Sequence, residues 1–379
     1  MQKQSRWLGI IILVFTASGV PALAIDLVDN GQVLGDGRSF DIATGDVDGD
    51  GDPDLLIGQY IAPCRLWLND GAGVFTDSGQ AFGATIGHGV AIADLDGDGD
   101  QDAWIVFNGA SDRVYLNDGT GLFVDSGATY GAGDEWGLNV WLGDLDGDGD
   151  PDAVVNHYEH DNRIWLNDGT GIFSDPGPRL GGATNFAYPG DLDGDGDTDV
   201  FLSSGDAGDR VLLNDGTGAF TDSGQALGTA TGRSKIALAD FDVDGDLDAF
   251  QSNSEGFTRV LLNDGSGTFT DSGQLLAVFA HRIGVADFDG NDTLDVLTVN
   301  RTTGNPIWLN DGAGNFTAAA ATLEADEVIG LAVCDVNADG ASDVIVGRIE
   351  GNGRGAVYMN QSSLSAESES LGGLKARYR

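Results

Sequence analysis

Short apolar runs recur along the chain, bounded by Gly, Asp and Asn rather than by helix-capping patterns. One representative stretch reads Gly89-Val90-Ala91-Ile92-Ala93, an acidic loop, Ala103-Trp104-Ile105-Val106, a short link, and Arg113-Val114-Tyr115-Leu116. It continues through the turn Asn117-Asp118-Gly119-Thr120-Gly121 into Leu122-Phe123-Val124. Runs this short, rich in β-branched and aromatic residues and punctuated by turn formers, predict four strands joined by hairpins. No segment sustains the 3.6-residue apolar spacing of an amphipathic helix, so helices are expected to be nearly absent.

That stretch is one copy of a repeat. An acidic nonapeptide of the form D-x-D-x-D-G-x-x-D, whole or degraded, begins at Asp46, Asp94, Asp144, Asp191, Asp240, Asp287 and Asp335, at spacings of 47 to 50 residues. Asn-Asp-Gly follows the first six starts by 23 residues, at Asn69, Asn117, Asn167, Asn214, Asn263 and Asn310, and a shifted Asn360 stands in the seventh. Residues 25–360 number 336, which is seven units of 48. Four antiparallel strands in a unit of this length make a propeller blade, and radial closure removes the open sheet edges of a linear array. The two ends carry the same message. Asp29-Asn30-Gly31-Gln32-Val33-Leu34-Gly35 aligns with Asp222-Ser223-Gly224-Gln225-Ala226-Leu227-Gly228, which closes an interior repeat, while the last repeat stops at Asn360 without a closing strand. The expected fold is therefore all-β, a seven-bladed β-propeller of four-stranded antiparallel blades. An N-terminal strand near residues 25–29 completes the last blade and closes the ring.

Charge changes the picture next. The chain holds 61 acidic and 18 basic residues, a net charge of −43. Nucleic acid and anionic membrane surfaces are excluded as partners, because phosphate recognition needs a basic face. Much of the excess sits in the nonapeptides, which hold 32 of the 61 acids. In Asp46-Val47-Asp48-Gly49-Asp50-Gly51-Asp52-Pro53-Asp54, oxygens at positions 1, 3 and 5 can converge on one cation as the backbone curls. Gly51 permits the sharp turn, Asp52 offers its carbonyl, and Asp54 supplies a closing carboxylate. The same five positions are Asp94, Asp96, Asp98, Asp100 and Asp102 in the second loop, and Asp144, Asp146, Asp148, Asp150 and Asp152 in the third. They are Asp191, Asp193, Asp195, Asp197 and Asp199 in the fourth, and Asp240, Asp242, Asp244, Asp246 and Asp248 in the fifth. The sixth loop departs, with Asp287, Asp289, Asn291, Thr293 and Asp295 and with Asp292 in place of the turn glycine. The seventh has Asp335, Asn337, Asp339, Ala341 and Asp343. Hard oxygen donors without nitrogen or sulfur select Ca²⁺, up to seven ions, and without them the clustered carboxylates repel. An EF-hand would need a Glu at position 12 and flanking helices; here an apolar strand follows position 9 directly.

These residues resemble the FG-GAP/VCBS repeat family, whose calcium-looped blades also build the N-terminal propeller of integrin α subunits. The resemblance spans residues 25–360. It implies that each loop joins the first and second strands of its blade on one face of the disc, and that the cations are structural. It also implies Asp46, Asp48, Asp50 and Asp54 as side-chain ligands in the first blade, with Asp52 giving its carbonyl.

Function is read from what varies. Aligning first strands places Asp41, Gly89, Asn139, Phe186, Lys235, Arg282 and Gly330 around the channel mouth opposite the loops. One position earlier come Phe40, His88, Leu138, Asn185, Ser234, His281 and Ile329. His157-Tyr158-Glu159-His160 is unique to the third blade. By contrast Arg65, Arg113, Arg163, Arg210 and Arg259 recur at the start of the third strand, and so read as architecture. So do Phe75, Phe123, Phe173, Phe220, Phe269 and Phe316, and the third-strand position of Trp67, Tyr115, Trp165, Trp308 and Tyr358. No nucleophile elbow, phosphate-cradling Gly loop or zinc signature appears. The expected function is a non-enzymatic binding or adhesion module for an extracellular protein or glycan, acting as a monomer. The alternatives are a lyase-like carbohydrate-active enzyme on a calcium propeller and a purely structural surface component.

The termini and the cysteines complete the expectations. Lys3 and Arg6, an apolar run over residues 7–20 and Ala22-Leu23-Ala24 predict a secretory signal over residues 1–24, and hence a secreted, extracellular or periplasmic product. No other segment reaches 18 apolar residues, so no membrane insertion is expected. The Ser/Glu-rich tail, residues 361–379, is expected to be disordered. Cys64 and Cys334 fall at opposite ends of their strands, roughly 15 Å apart, too far for a disulfide. Two separate thiols are expected, with Cys334 buried as a small hydrophobe.

Overall fold

The computed structural model describes residues 25–362, apart from residues 36, 61, 84–85, 132, 134–135, 159, 178, 182–185, 204–207, 226, 228–233, 254–257, 277–278, 301–303, 324–326 and 350–353. The predicted signal (1–24), the predicted tail beyond residue 362, Glu159 and Asn185 lie outside the described residues. Among the described residues the chain forms seven antiparallel sheets and no helix. Blade 1 runs through Arg38–Gly45, Asp54–Tyr60, Cys64–Asn69 and Phe75–Phe82, each strand paired with the next. Blades 2 to 6 repeat this order, their first strands being Gly87–Ala93, Trp136–Gly143, Phe186–Gly190, Ser234–Ala239 and Arg282–Ala286. In blade 3 a two-residue strand, Arg179–Leu180, also pairs with the third strand.

Blade 7 is built from both ends of the chain. Val328–Cys334, Asp343–Arg348 and Ala356–Asn360 supply three strands, and Leu27–Asp29 adds the fourth, with Leu27 opposite Asn360 and Asp29 opposite Tyr358. The predicted seven-bladed propeller and its clasp are both present. The clasp extends past residue 360, because the Gln361 N–H donates to the Asp26 carbonyl at 2.9 Å. The first two residues of the predicted tail are thus held against the disc.

The cores lie between blades. Second strands such as Asp54–Tyr60 and Asp102–Phe107 are buried on both faces, which explains why their apolar runs are continuous rather than alternating. Seven apolar clusters follow, one per interface. Leu56, Leu66 and Phe82 of blade 1 meet Val90, Ile105 and Phe123 of blade 2. The ring closes where Ile42, Leu55, Ile57 and Phe75 meet Val336, Ile345 and Val357 of blade 7. The recurrent Phe bridges neighbours as predicted: Phe123 packs edge-on to Phe82 at 5.6 Å, and Phe269 to Phe201 at 5.3 Å.

Both cysteines are free thiols, as expected, but Cys334 is less buried than expected. Cys64 is fully buried in the blade 1–2 core, and Cys334 is half-buried at the inner end of its strand. The reason is position: the bottom ends of first strands line the channel, whereas third strands lie inside the sheet.

Candidate functional site

The seven acidic loops sit on one face, each joining first and second strands. Their shape follows from a few residues. Position 1 holds the turn: Asp46 accepts hydrogen bonds from the N–H of Gly49 at 2.8 Å and of Gly51 at 3.0 Å. Both glycines have positive φ, 76° and 96°. The left-handed backbone at position 4 was not anticipated from sequence; in loops five and seven it is imposed on Val243 (φ 63°) and Ala338 (φ 56°). Position 2 is the anchor. Val47, Leu95, Leu145, Leu192, Phe241, Phe288 and Val336 are all buried in the cores.

Position 9 ties the loop down. Asp54, Asp102, Asp152, Asp199, Asp248, Asp295 and Asp343 are completely buried. Each accepts the position-2 N–H at 2.8–3.0 Å. Each also accepts the N–H of the turn Asn (Asn360 in blade 7) at 2.7–2.8 Å. That asparagine in turn donates its Nδ2 to the position-2 carbonyl of the preceding blade, from Asn69 to Val336 round to Asn360 and Phe288. Loop, turn and neighbouring loop form one hydrogen-bonded ring. The role of this Asn was missed from sequence, because its partner lies in another repeat.

What remains is a set of carboxylates facing one another. Oxygens of Asp46, Asp48 and Asp50 come within 4.8 Å of one another, as do those of Asp94, Asp96 and Asp102, and of Asp144, Asp146 and Asp152. The fourth and fifth loops repeat this with Asp191, Asp193 and Asp199, and with Asp240, Asp242 and Asp248. Burial, and then the neighbouring carboxylates, push the position-9 acids up to about 6, and Asp248 and Asp295 to about 7. Asp146, Asp242 and Asp289 each keep a buried carboxylate oxygen without a hydrogen-bond partner, and Asp289 is only 1% exposed. A buried anionic oxygen left unpaired is costly, and a hard divalent cation is the partner this donor set fits. Position 7 stands apart: the Asp52 carboxylate lies against Gly71 of the Asn-Asp-Gly turn, where any Cβ would strike it. Its side chain is thereby turned toward the turn, in keeping with a ligand role for its carbonyl alone.

The two divergent loops differ from each other. In the sixth, Asp289 and Asp287 still raise each other's neighbour Asp295, and Asn291 accepts the N–H of Thr293 at 2.8 Å. In the seventh, the Asn337 amide donates to Asp339 at 2.9 Å, occupying a carboxylate that the other loops leave to its neighbours. Ala341 is buried and brings no side-chain donor.

The opposite face is where repeats differ. Residues predicted at the channel mouth turn largely toward one another. Arg282 crosses from blade 6 to blade 1, donating to the Phe40 carbonyl at 3.1 Å and pairing with Asp41 at 3.6 Å. Asp41 is pushed up by burial, opposed by Arg282 and by the Val90 and Ile42 N–H groups. Lys235 lies 3.4 Å from the Phe186 ring centroid. Burial, then Arg282 and Lys235, lower His88 to about 4, so it is neutral at pH 7. Gly89 is small because Asn139 backbone packs against it, and Gly330 because Ser39 and Phe40 do. The predicted cluster in blade 3 divides: His157 is buried at 2% exposure, while Tyr158 is partly exposed and His160 exposed. Four of the five recurrent arginines are architectural, as read from sequence: Arg113, Arg163, Arg210 and Arg259 pair with Asp125, Asp175, Asp222 and Asp271, in or just after the fourth strands, at 3.2–3.7 Å. No helix among the described residues is long and apolar enough to cross a membrane.

Comparison with known proteins agrees with this architecture. The FG-GAP-like repeat model matches residues 46–105, 94–155, 144–202, 191–251 and 287–346, well over half of the chain. Among solved structures, an Agrocybe aegerita lectin described as recognising non-reducing terminal N-acetylglucosamine is 24% identical, with 74% of this chain and 80% of that one covered at a TM-score of 0.54. The lectin BP39L of Burkholderia pseudomallei is 14% identical, covering 85% and 96%, with a TM-score of 0.63. BBS1N, solved in complex with ARL6DN, is 9% identical, covering 89% and 98%, with a TM-score of 0.59. At these identities the likeness is one of fold. No curated protein compared with the chain matches it in sequence.

Proposed function

The chain belongs to the FG-GAP-like repeat family, and on that premise we propose that it is an exported, calcium-stiffened disc that works as a non-enzymatic binding or adhesion module for an extracellular glycan or protein. The observation that carries the reading is the division between its faces. On one face seven loops repeat the same apolar anchor and buried closing Asp, and five of them the full set of donor carboxylates; three loops keep an orphaned buried oxygen. On the other, the residues at equivalent positions differ between most blades. A constant face suits a structural role, and a variable one suits recognition.

Calcium in this reading is held by Asp46, Asp48, Asp50 and Asp54 and their counterparts, with the seventh loop the weakest because Asn337 already serves Asp339. The affinity expected is that of extracellular modules, on the order of 10⁻⁴ to 10⁻³ M or somewhat tighter. Its chemistry is charge neutralisation of the loops, distant from the recognition face. The two lectins among the fold neighbours support glycan as one ligand class. The test is retention of the mature protein on arrays of glycans and matrix proteins, with calcium and with excess chelator. Retention in calcium that declines as the chelated disc loosens supports the reading. Retention of nothing, or release of a cleaved or eliminated sugar product, overturns it.

A further inference from the structure

Trp136 opens the innermost strand of blade 3, at the end away from the acidic loops. It is 54% exposed, whereas Trp104 is fully buried and Trp165 is 8% exposed. Across the strand pair it faces Tyr158, and the two rings lie 5.7 Å apart at 30°. Beside this pair, toward blade 1, half-buried rings follow. His88 of blade 2 hydrogen-bonds to the Leu138 backbone, two residues on from Trp136, and stacks on Phe40 at 4.3 Å and 25°. Phe40 meets Tyr60 edge-on at 5.3 Å, and the Arg38 guanidinium lies 5.7 Å from the Tyr60 ring.

Recurrence separates architecture from specialisation in this chain. Buried aromatics return blade after blade, as in Tyr115, Trp165 and Tyr358. Trp136 does not: three residues before the channel-mouth position, blade 1 has Arg38 opposite Tyr60, blade 2 has Ile86, whose carbonyl accepts the Asn108 N–H, blade 6 has the half-buried Phe279, and blade 7 has Glu327, whose carbonyl accepts the Ile349 N–H. An indole held in water at a position where blades 1, 2 and 7 carry no aromatic ring is not a requirement of the fold.

We propose that the Trp136–Tyr158 pair is a stacking platform for one pyranose ring of an uncharged glycan. This rests on the binding-module reading given above and names the ligand face of that module. The face of an aromatic ring is electron-rich, and the C–H groups on one side of a pyranose are weakly positive, so the two planes attract while the sugar's apolar face is dehydrated. The sizes match, one indole to one sugar ring. A protein partner would require an apolar patch of several hundred Å² around its anchor. Among the described residues, Trp136 is the only large exposed hydrophobic side chain at the outer end of a first strand. The neighbouring exposed groups, His160 and Asp161, are hydrogen-bonding partners for sugar hydroxyls. A net charge of −43 disfavours acidic polysaccharides at any distance within the screening length.

The experiment uses the calcium-loaded full chain on an array of chito-, cello-, manno- and galacto-oligosaccharides. The retained sugar is then titrated in solution by tryptophan fluorescence. Trp136→Ala should weaken retention about tenfold or more and abolish the fluorescence change, with the melting temperature unaltered because the side chain is exposed. Trp136→Phe should recover most of the affinity. Independently of any variant, the bound sugar should protect Trp136 in the folded wild type from N-bromosuccinimide, read by peptide mass spectrometry. Full retention by Trp136→Ala, or oxidation of Trp136 unaffected by saturating sugar, overturns the platform and leaves the binding-module reading standing. A wild type that retains proteins but no sugar overturns the platform alone; one that retains nothing overturns both.

Discussion

Each turn asparagine holds the neighbouring blade as well as its own loop. Asn214 donates Nδ2 to the Leu145 carbonyl at 2.7 Å, a buried bond, and to the part-buried Thr198 carbonyl at 3.0 Å. Asn214→Ala leaves one buried and one part-buried carbonyl unpaired, so it should cost about 2 kcal/mol, measured by urea unfolding of the calcium-loaded protein. A change below about 0.5 kcal/mol would show that the clasp is incidental. The opposite sign is expected at Val243, which is 62% exposed and β-branched at φ 63°. A left-handed backbone costs such a residue roughly 1–2 kcal/mol, so Val243→Gly should gain about 1 kcal/mol after the entropy of glycine is set against it. Unchanged or lowered stability would place the strain elsewhere. The Asn-Asp-Gly marker and the turn glycine at position 6 were legible in the sequence. The bond from Asn214 to a residue 69 positions earlier was not, since sequence pattern reports local chemistry and this contact crosses repeats.

At the scale of elements the ring closure was legible because the repeat was cut in two, and the cut ends matched. The structure adds why the N-terminal segment is needed twice. Leu27–Asp29 completes blade 7, and Leu34 exchanges backbone hydrogen bonds with Gly355 at 3.0 and 2.7 Å. Gln32 then latches onto blade 1, donating to the Gly73 carbonyl at 2.6 Å and accepting the Phe75 N–H at 2.8 Å. Gln80, Gln225 and Gln274 make the same latch at other interfaces, and the Tyr130 hydroxyl substitutes for it between blades 2 and 3. Deleting residues 25–34 removes strand and latch together. The truncated chain should expose the Ala356–Asn360 edge, lose the cooperative melt of the intact ring and aggregate, which light scattering would detect. A monomer with the parent melting temperature would mean that the other six interfaces hold the disc alone. The burial of Cys334 was misjudged at this same scale: alternation along a strand was readable, but which strand end borders the channel depends on closure of the whole ring.

Across the whole molecule the acidic loops set the response to calcium and to pH, and the two are coupled. The position-9 carboxyls stand at about 6 to 7 in the folded chain, raised by burial and then by their neighbours. In the unfolded chain an Asp titrates near 3.9. Between about pH 4 and pH 7, therefore, the folded metal-free protein binds more protons than the unfolded chain. Its stability must fall as pH rises through that window. With calcium the sign reverses, because a cation binds the ionised loops and protons compete with it. At a tenfold excess over its dissociation constant each bound ion adds about 1.4 kcal/mol, so five to seven sites together add on the order of 7–10 kcal/mol near pH 7.5. Melting curves taken from pH 4.5 to 8 should then diverge. In chelator the midpoint declines toward alkaline pH, in millimolar calcium it rises, and the two converge near pH 5, where protons replace the metal. Loop-by-loop Asp→Asn changes at position 3 should narrow the gap most for Asp146, Asp242 and Asp289, whose buried oxygens have no other partner. Two curves that coincide at pH 7.5 after verified metal removal would refute calcium as part of the fold. A chelated protein that gains stability as pH rises from 4 to 7 would refute the inward-facing, desolvated placement of the seven closing carboxylates.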